Sequence, residues 1–358
     1  MTAIHRGSAP RSELIRCRTV GCGASRAMLL RPSAAEWHAR SSVVMEIIVD
    51  RSGVRADLFL AKTFPGRGRR LLATLFAAGK VRVNGKTARK GQLLVRGDVV
   101  QLVETPPGET ELRPLPQPEL PLEVVFVDES LVAVSKPPEM PSHPLRPAEI
   151  NTLANSLVAR FPETATVGHD PREAGLANRL DRGTSGILVA ARDPSTWLAL
   201  RTLFRNHQVT KEYLALVFGE VTDSGTIEAP LTRDSRHRGR AVVLTATESS
   251  PERGPALPAT TSYRPEAGAH GFTLLRCLTT TGRMHQVRAH LAHVGFPIVG
   301  DLLYGQGAPG ANQLPVVGHF LHAASLLLPH PRSGQSLFVE AALPLDRIAT
   351  LAFLGIRW

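Results

Sequence analysis

The chain has 358 residues, 43% hydrophobic and 20% charged, which excludes a disordered chain and is enough for two domains with sizeable cores. No apolar run approaches the roughly 18 residues of a membrane span, and three cysteines, Cys17, Cys22 and Cys277, exclude a disulfide scaffold and fit a reducing, cytoplasmic compartment. The net charge of +11 and pI of about 10.4 point to nucleic acid as a partner; only six of the 42 basic residues are lysine, a bias that suits stacking on bases and forking onto phosphate or reflects GC-rich coding.

Residues 1–42 carry seven arginines, two glutamates and no periodic pattern. They read as a disordered tail or a mis-called start, with Met45 as a candidate start; an organellar transit peptide has a similar composition. Residues 43–104 read as one small unit. Val43 to Val49 alternates as a strand. Arg55 to Ala61 opens a helix with Asp57 near its positive end, and Arg69 to Ala78 gives a second helix stopped by Gly79. Lys80 to Lys86 is a strand ended by an Asn84-Gly85 hairpin turn, with Val81 and Val83 facing in and Lys80 and Arg82 facing out. The Arg-x-Asp-x-x-Leu opening at Arg55, the Gly-x-Val-x-Val-Asn-Gly turn at Gly79 and the late Gly97-Asp98 resemble the small RNA-binding domain of ribosomal protein S-four. That resemblance implies RNA contacts from Arg55, Arg70, Lys80 and Arg82.

Spaced prolines from Pro106 to Pro121 predict a stiff extended linker over 105–121. Residues 122–345 read as a large mixed α/β domain of many short strands and few helices, with a surface loop at Ser249 to Pro258 and a tail at 346–358. Val127 to Lys136 reads as a hairpin turning at Asp128-Glu129-Ser130, with Lys136 at the strand end, either solvated or in contact with a ligand. The stretch Asn178-Arg179-Leu180-Asp181-Arg182-Gly183-Thr184-Ser185-Gly186 sets one carboxylate between two arginines at a turn. The apolar run Ile187 to Ala191 behind it reads as a buried strand. Such an acid, at the mouth of a sheet among cations, suits a nucleophile or a base better than a proton donor; a salt-bridged turn is the structural alternative. Thr210 to Gly219 alternates as a strand, with Tyr213 on the face opposite Glu212 and Leu214, as a core residue or a stacking group. Gly282 to His293 brings Arg283, His285, Gln286, Arg288, His290 and His293 into one segment. His290 and His293 suit one helix face, but no Cys or Glu completes a metal set, so they read as covering the helix. No phosphate loop, Rossmann fingerprint or Gly-x-Ser-x-Gly elbow around Ser185 is found, so nothing in the sequence calls for a cofactor.

These separated motifs, spread over about 120–345, resemble the RluA-type RNA pseudouridine synthases. The signature His-Arg-Leu-Asp-x-x-Thr-Ser-Gly matches with Asn178 in place of His. Tyr213 lies in a similar Tyr-x-Ala-x-Val strand, Gly282 to Arg288 matches Gly-Arg-x-His-Gln-[Ile/Val]-Arg, and Leu321 to Pro331 looks like the C-terminal strand. The resemblance implies an α+β catalytic domain with a largely antiparallel sheet and a central cleft. It implies Asp181 as the catalytic acid, Tyr213 as a ring that stacks on uracil and reaches the sugar, and Arg288 as the cation paired with Asp181, with Arg283 as runner-up. Arg179 would fill the position vacated by a flipped uridine, and Arg182, Arg283, His285, Gln286 and Lys136 would contact RNA. The implied enzyme is a monomer without cofactor or metal, acting on large-subunit ribosomal RNA in preference to transfer RNA. Two other readings stay open: a nucleic-acid N-glycosidase, which needs a second carboxylate, and a catalytically silent RNA-binding protein.

Overall fold

The computed structural model describes residues 45–64, 69–104, 106, 109–234, 237, 239–244, 255–305 and 314–358. The leader at 1–42 and its two cysteines, and most of the loop at 249–258, lie outside the described residues. The chain divides into two units, 1–107 and 108–358.

In the first unit, strands β1 (Met45–Ile48), β3 (Val81–Val83), β4 (Lys86–Thr87) and β6 (Val99–Leu102) form a sheet in the order β1-β6-β3-β4. A two-stranded ladder joins β2 (Val54–Arg55) to β5 (Leu93–Leu94), and helices α1 (Ala56–Thr63) and α2 (Arg69–Ala77) complete the unit. Its core gathers Phe59, Leu60, Leu72, Phe76, Val81, Val83, Leu94, Val100 and Leu102. The Asn84-Gly85 turn joins β3 to β4 with positive φ at both residues, as a tight hairpin requires. Val81 and Val83 are buried while Arg82 between them is partly exposed. Lys80 pairs with Glu104 at 3.6 Å and Arg55 forks onto Asp57. The side chain of Arg70 lies outside the described residues.

The second unit starts earlier than the proline pattern predicts. A short helix, α3 (Glu109–Leu112), falls in the segment read as a linker, and Leu112 is buried. Gln117 then bonds to Asn151 and to the Asn155 carbonyl. Prolines disfavour regular structure, but they do not stop an extended segment from lying against a helix. That helix, α4 (Leu153–Arg160), begins at a capping box made by Thr152 and Asn155.

The main sheet is built from β7 (Glu123–Val127), β8 (Leu131–Lys136), β9 (Ser185–Ala191), β10 (Thr210–Phe218), β11 (Gly225–Glu228), β14 (Thr260–Ala269), β15 (Phe272–Thr279), β16 (Leu321–Pro329) and β17 (Ser336–Glu340). The order is β11-β14-β15-β10-β16-β9-β8-β7, with β17 added to β16. Every pairing is antiparallel except that of β9 with β16. A separate hairpin joins β12 (Leu231–Arg233) to β13 (Ala241–Val243). Helices α5 (Pro194–Arg205), α6 (Gln286–His293) and α7 (Leu345–Phe353) complete the unit. Strands β8 and β9 are buried at every position, the pattern of strands covered on both faces. The predicted turn at Asp128 is made by one carboxylate oxygen that accepts from the Ser130 and Leu131 amides. The other oxygen meets His330 of the Pro-His-Pro segment at 2.7 Å. Asp193 caps α5 by accepting from the Thr196 amide, with Pro194 following.

Residues 346–358, expected to be a tail, carry α7 and bury Arg347, Thr350, Leu351, Leu354 and Ile356. No described helix is long and apolar enough to cross a membrane.

The parallel contact between β9 and β16 is narrow. His322 registers with Ser185 and Ala323 with Gly186. Gly186 sits at φ +112°, and a Cβ there would lie 2.1 Å from the Ala323 carbonyl oxygen. Only glycine allows this approach, and it brings the turn before β9 onto the start of β16.

Candidate active site

Asp181 lies on the turn that feeds β9, closed by the Thr184 amide donating to the Asp181 carbonyl at 3.1 Å. Leu180 and each residue from Arg182 to Ser185 are tethered. Ser142 Oγ bonds both the amide and the carbonyl of Leu180. Lys136 Nζ donates to the Arg182 carbonyl at 3.0 Å, and Arg347 Nη2 to the Gly183 carbonyl at 3.1 Å. Thr184 Oγ1 meets His319 Nε2 at 2.7 Å, and Ser185 Oγ meets His322 Nδ1 at 2.9 Å. Gly183 is closely packed: a Cβ there would lie 2.9 Å from the His319 ring. A turn held at this many points presents its carboxylate with little freedom to move.

The partner of Asp181 comes from α6. His285 takes a left-handed conformation, φ +54°, just before the helix. Arg288, within the first turn, aims its guanidinium at the acid: Nη1 to Asp181 Oδ2 is 2.7 Å. The rest of the fork grips Asp301, Nε to Oδ2 at 2.6 Å and Nη2 to Oδ1 at 2.9 Å. Asp301 Oδ1 also accepts from the Leu303 and Tyr304 amides, so this carboxylate, fully buried, is saturated. Burial acts against the charge on Arg288, but the hydrogen bond and charge of Asp301, then Asp181, raise its pKa. The Tyr304 ring lies under the Arg288 guanidinium, 5.2 Å from centroid to Cζ, with Arg240 at 5.3 Å. Tyr304 Oη meets His285 Nδ1 at 3.1 Å, and His285 Nε2 is 3.7 Å from Asp181 Oδ1. Burial lowers the His285 pKa, with the Asp181 charge opposing it.

Sheet order brings in Tyr213. It registers with Ala323 on β16, and Ala323 registers with Gly186 on β9. The ring packs against the cluster that holds Leu180 and Ala323. Burial, and then the Asp181 charge, push its phenol pKa up, so Tyr213 is a neutral hydroxyl at physiological pH. A carboxylate, its buried counter-ion and an aromatic face thus meet beside a tight turn.

A family model described as RNA pseudouridylate synthase matches residues 130–293. An RNA pseudouridine synthase of Chloroflexus aurantiacus is 40% identical over 292 residues, 82% of this chain and 87% of its own. Ribosomal large subunit pseudouridine synthase D of Xanthomonas campestris is 35% identical, with 86% and 91% covered. The protein of that name from Escherichia coli is 32% identical, with 86% and 93% covered. The chain belongs to the RNA pseudouridine synthase family. The solved human RNA pseudouridylate synthase domain-containing protein 4, 23% identical, shares the fold with a TM-score of 0.51 over 66% of this chain and 94% of its own. Human domain-containing protein 1, 26% identical, gives 0.50 over 67% and 87%.

Within this synthase the other sequence candidates separate clearly. Arg283 does not reach the acid: its Nε donates to the Pro258 carbonyl, and the pair belongs to Arg288. Arg179 is exposed beside the turn, and Arg182, also exposed, pairs with Glu139. Two expected RNA contacts are corrected. Lys136 is 0% exposed, and its ammonium spends its three protons on the carbonyls of Pro137, Met140 and Arg182; burial lowers its pKa to about 7. Gln286 is buried, with its amide on the Thr260 carbonyl and Thr261 Oγ1 and its oxygen accepting from Thr281 and the Arg283 amide. Neither has a donor to offer to RNA. His290 does not cover the helix from outside. It is buried and bonds Thr261 Oγ1 and the Ala229 carbonyl.

Asp301, Tyr304, His319 and Arg347 were given no role by sequence reasoning. The continuation of the Arg288 segment through Gly300-Asp301 was the available signal for the first two. His319 and Arg347 offered none.

The two imidazoles at the turn make a stability prediction. Burial lowers His319 and His322 to about 4 from 6.5. Between those values the unfolded chain binds protons that the folded protein refuses, so stability present above pH 6.5 is lost as pH falls toward 4. Each ring contributes a loss of about 2 kcal/mol by pH 5. Urea midpoints measured from pH 7.5 to 5 are expected to fall steadily, and His322→Gln to flatten part of that slope. An unchanged midpoint across the range would contradict the assignment.

Proposed function

We propose that the protein isomerises uridine to pseudouridine in large-subunit ribosomal RNA, with Asp181 as the reacting acid. The observation that carries this is the 2.7 Å pair of Asp181 with a buried arginine, close enough to Tyr213 for the Asp181 charge to act on its phenol. In the reaction the N1–C1′ bond breaks and a C5–C1′ bond forms. One proton leaves C5 and one is gained at N1, so no redox partner or energy input is needed. Asp181 is the group at the anomeric centre or its 2′ neighbour, Arg288 keeps its negative charge compensated, and Tyr213 forms a wall for the freed base with a neutral hydroxyl toward the sugar. The target leaves its stack to enter the site, with Arg179 at the position it vacates and Arg182, Arg283 and His285 around the strand. The N-terminal unit, read as an S-four-like RNA-binding domain, adds salt-dependent affinity through Arg55, Arg70, Lys80 and Arg82. The enzyme acts as a cytoplasmic monomer.

The large-subunit target is supported by the names of the Xanthomonas and Escherichia coli relatives. The N-glycosidase reading needs a second working carboxylate. Asp301 is near, but it is sealed by Arg288 and two amides and has no free edge to protonate a leaving group.

Tritium release from RNA labelled at C5 of uridine tests the proposal, with large-subunit RNA and bulk transfer RNA as parallel substrates. Release from large-subunit RNA alone is the expected result. Release from transfer RNA alone would move the target, free uracil would favour the glycosidase, and tight binding without release would favour a silent RNA-binding protein.

A further inference from the structure

Helix α7 packs Thr350 and Leu351 inward, yet the largest side chain it buries is a charged one. It exposes Leu345, Ile348 and Phe353 and buries Arg347, which is 0% exposed. A guanidinium in a core is a poor source of stability, since its desolvation rivals what its contacts return. Here Nε is also buried without a hydrogen-bond partner. The other two nitrogens are fully used. Nη1 donates to the Val317 carbonyl at 2.8 Å and meets Asp346. Nη2 bridges the Gly183 carbonyl at 3.1 Å and the His319 carbonyl at 2.8 Å.

Those two carbonyls are the relevant ones. Gly183 stands two residues after Asp181 inside the closed turn, and a Cβ on it would meet the His319 ring, which bonds the next side chain, Thr184. One nitrogen therefore joins the reactive turn to the strand entry that supports it. An apolar side chain at 347 could fill the space but could not hold either carbonyl.

We propose that Arg347 is a positioning residue of the synthase, its planar fork fixing the Asp181 turn against the 317–319 segment so that the carboxylate keeps its reactive placement. This rests on Asp181 being the reacting acid. The effect falls on the chemical step and not on RNA affinity, because Arg347 is 0% exposed and offers RNA no surface. A misplacement of about 1 Å at a reacting group costs on the order of a hundredfold in rate.

The test compares wild type, Arg347→Met, Arg347→Lys and Asp181→Asn by single-turnover tritium release at saturating enzyme, RNA binding by filter retention, and thermal melting. The expected result is a fall of about 100-fold in the rate constant for Arg347→Met, with RNA affinity within about twofold. Arg347→Lys is expected to recover part of the rate, since lysine keeps the charge but not the planar fork. Wild-type rates in both variants, with loss confined to the melting temperature, would overturn the proposal. If the Met variant does not fold, the Lys variant decides: a lowered rate with a wild-type melting temperature supports positioning, and an unchanged rate refutes it. An inactive Asp181→Asn beside wild-type rates in every folded Arg347 variant would remove only this inference. An active Asp181→Asn would remove the reading of the site as well.

Discussion

Asp181→Asn is expected to abolish C5 tritium release, by about ten-thousand-fold or more, while leaving RNA binding and melting temperature near wild type. The reasoning is chemical and local. The amide oxygen still accepts from Arg288 Nη1 across the 2.7 Å now spanned by the carboxylate, and Arg288 keeps its fork on Asp301. Nothing buried is left unpaired, so the fold has no reason to fail. What is lost is the negative charge and the oxygen that would attack the anomeric carbon or take the 2′ proton, and removing such a group from a unit that works together costs most of the rate. A variant retaining more than about a hundredth of wild-type release would mean that another group carries the reaction.

Arg288→Met is expected to remove both activity and stability. Asp301 has a fully buried carboxylate, and without Arg288 it keeps only two amide donors. An ion left uncompensated in a core costs about 3–5 kcal/mol, which for a unit of this size is a clear drop in melting temperature. The double variant Arg288→Met with Asp301→Asn separates the two effects. Removing the stranded charge is expected to return much of the stability and none of the activity, because Asp181 still lacks its counter-ion. Recovery of both would assign Arg288 a purely structural role, and recovery of neither would mean that the cost lies in the cavity.

How much of this was legible depended on whether a residue's surroundings were near it in sequence. The Asp181 turn was legible because the arginines and the apolar strand adjoin it. The hairpin at Asp128 and the strand carrying Tyr213 were legible for the same reason. Lys136 misled because β8 is buried on both faces, so alternation carries no information on direction there. The acceptor it finds in the turn, the Arg182 carbonyl, is 46 residues away. The resemblance gives Arg288 one carboxylate, yet its fork has two sides, and Asp301 fills the second. Arg347 meets the turn across 164 residues, and no local pattern records such a contact. The proline-rich segment misled for a different reason: Glu109 to Leu112 lie between its prolines and turn as α3, and the prolines that follow do not prevent docking.

The contacts of the turn have a consequence for when the enzyme can first act. Residues 180–185 are held by groups at 136, 142, 319, 322 and 347, and the acid is matched by one at 288. A chain folds progressively from its N-terminus as it is made. A growing polypeptide that already displays its RNA-binding candidates and Asp181 still lacks α7, and with it the last clamp on the turn. The turn therefore gains its full set of contacts only once α7 has been made.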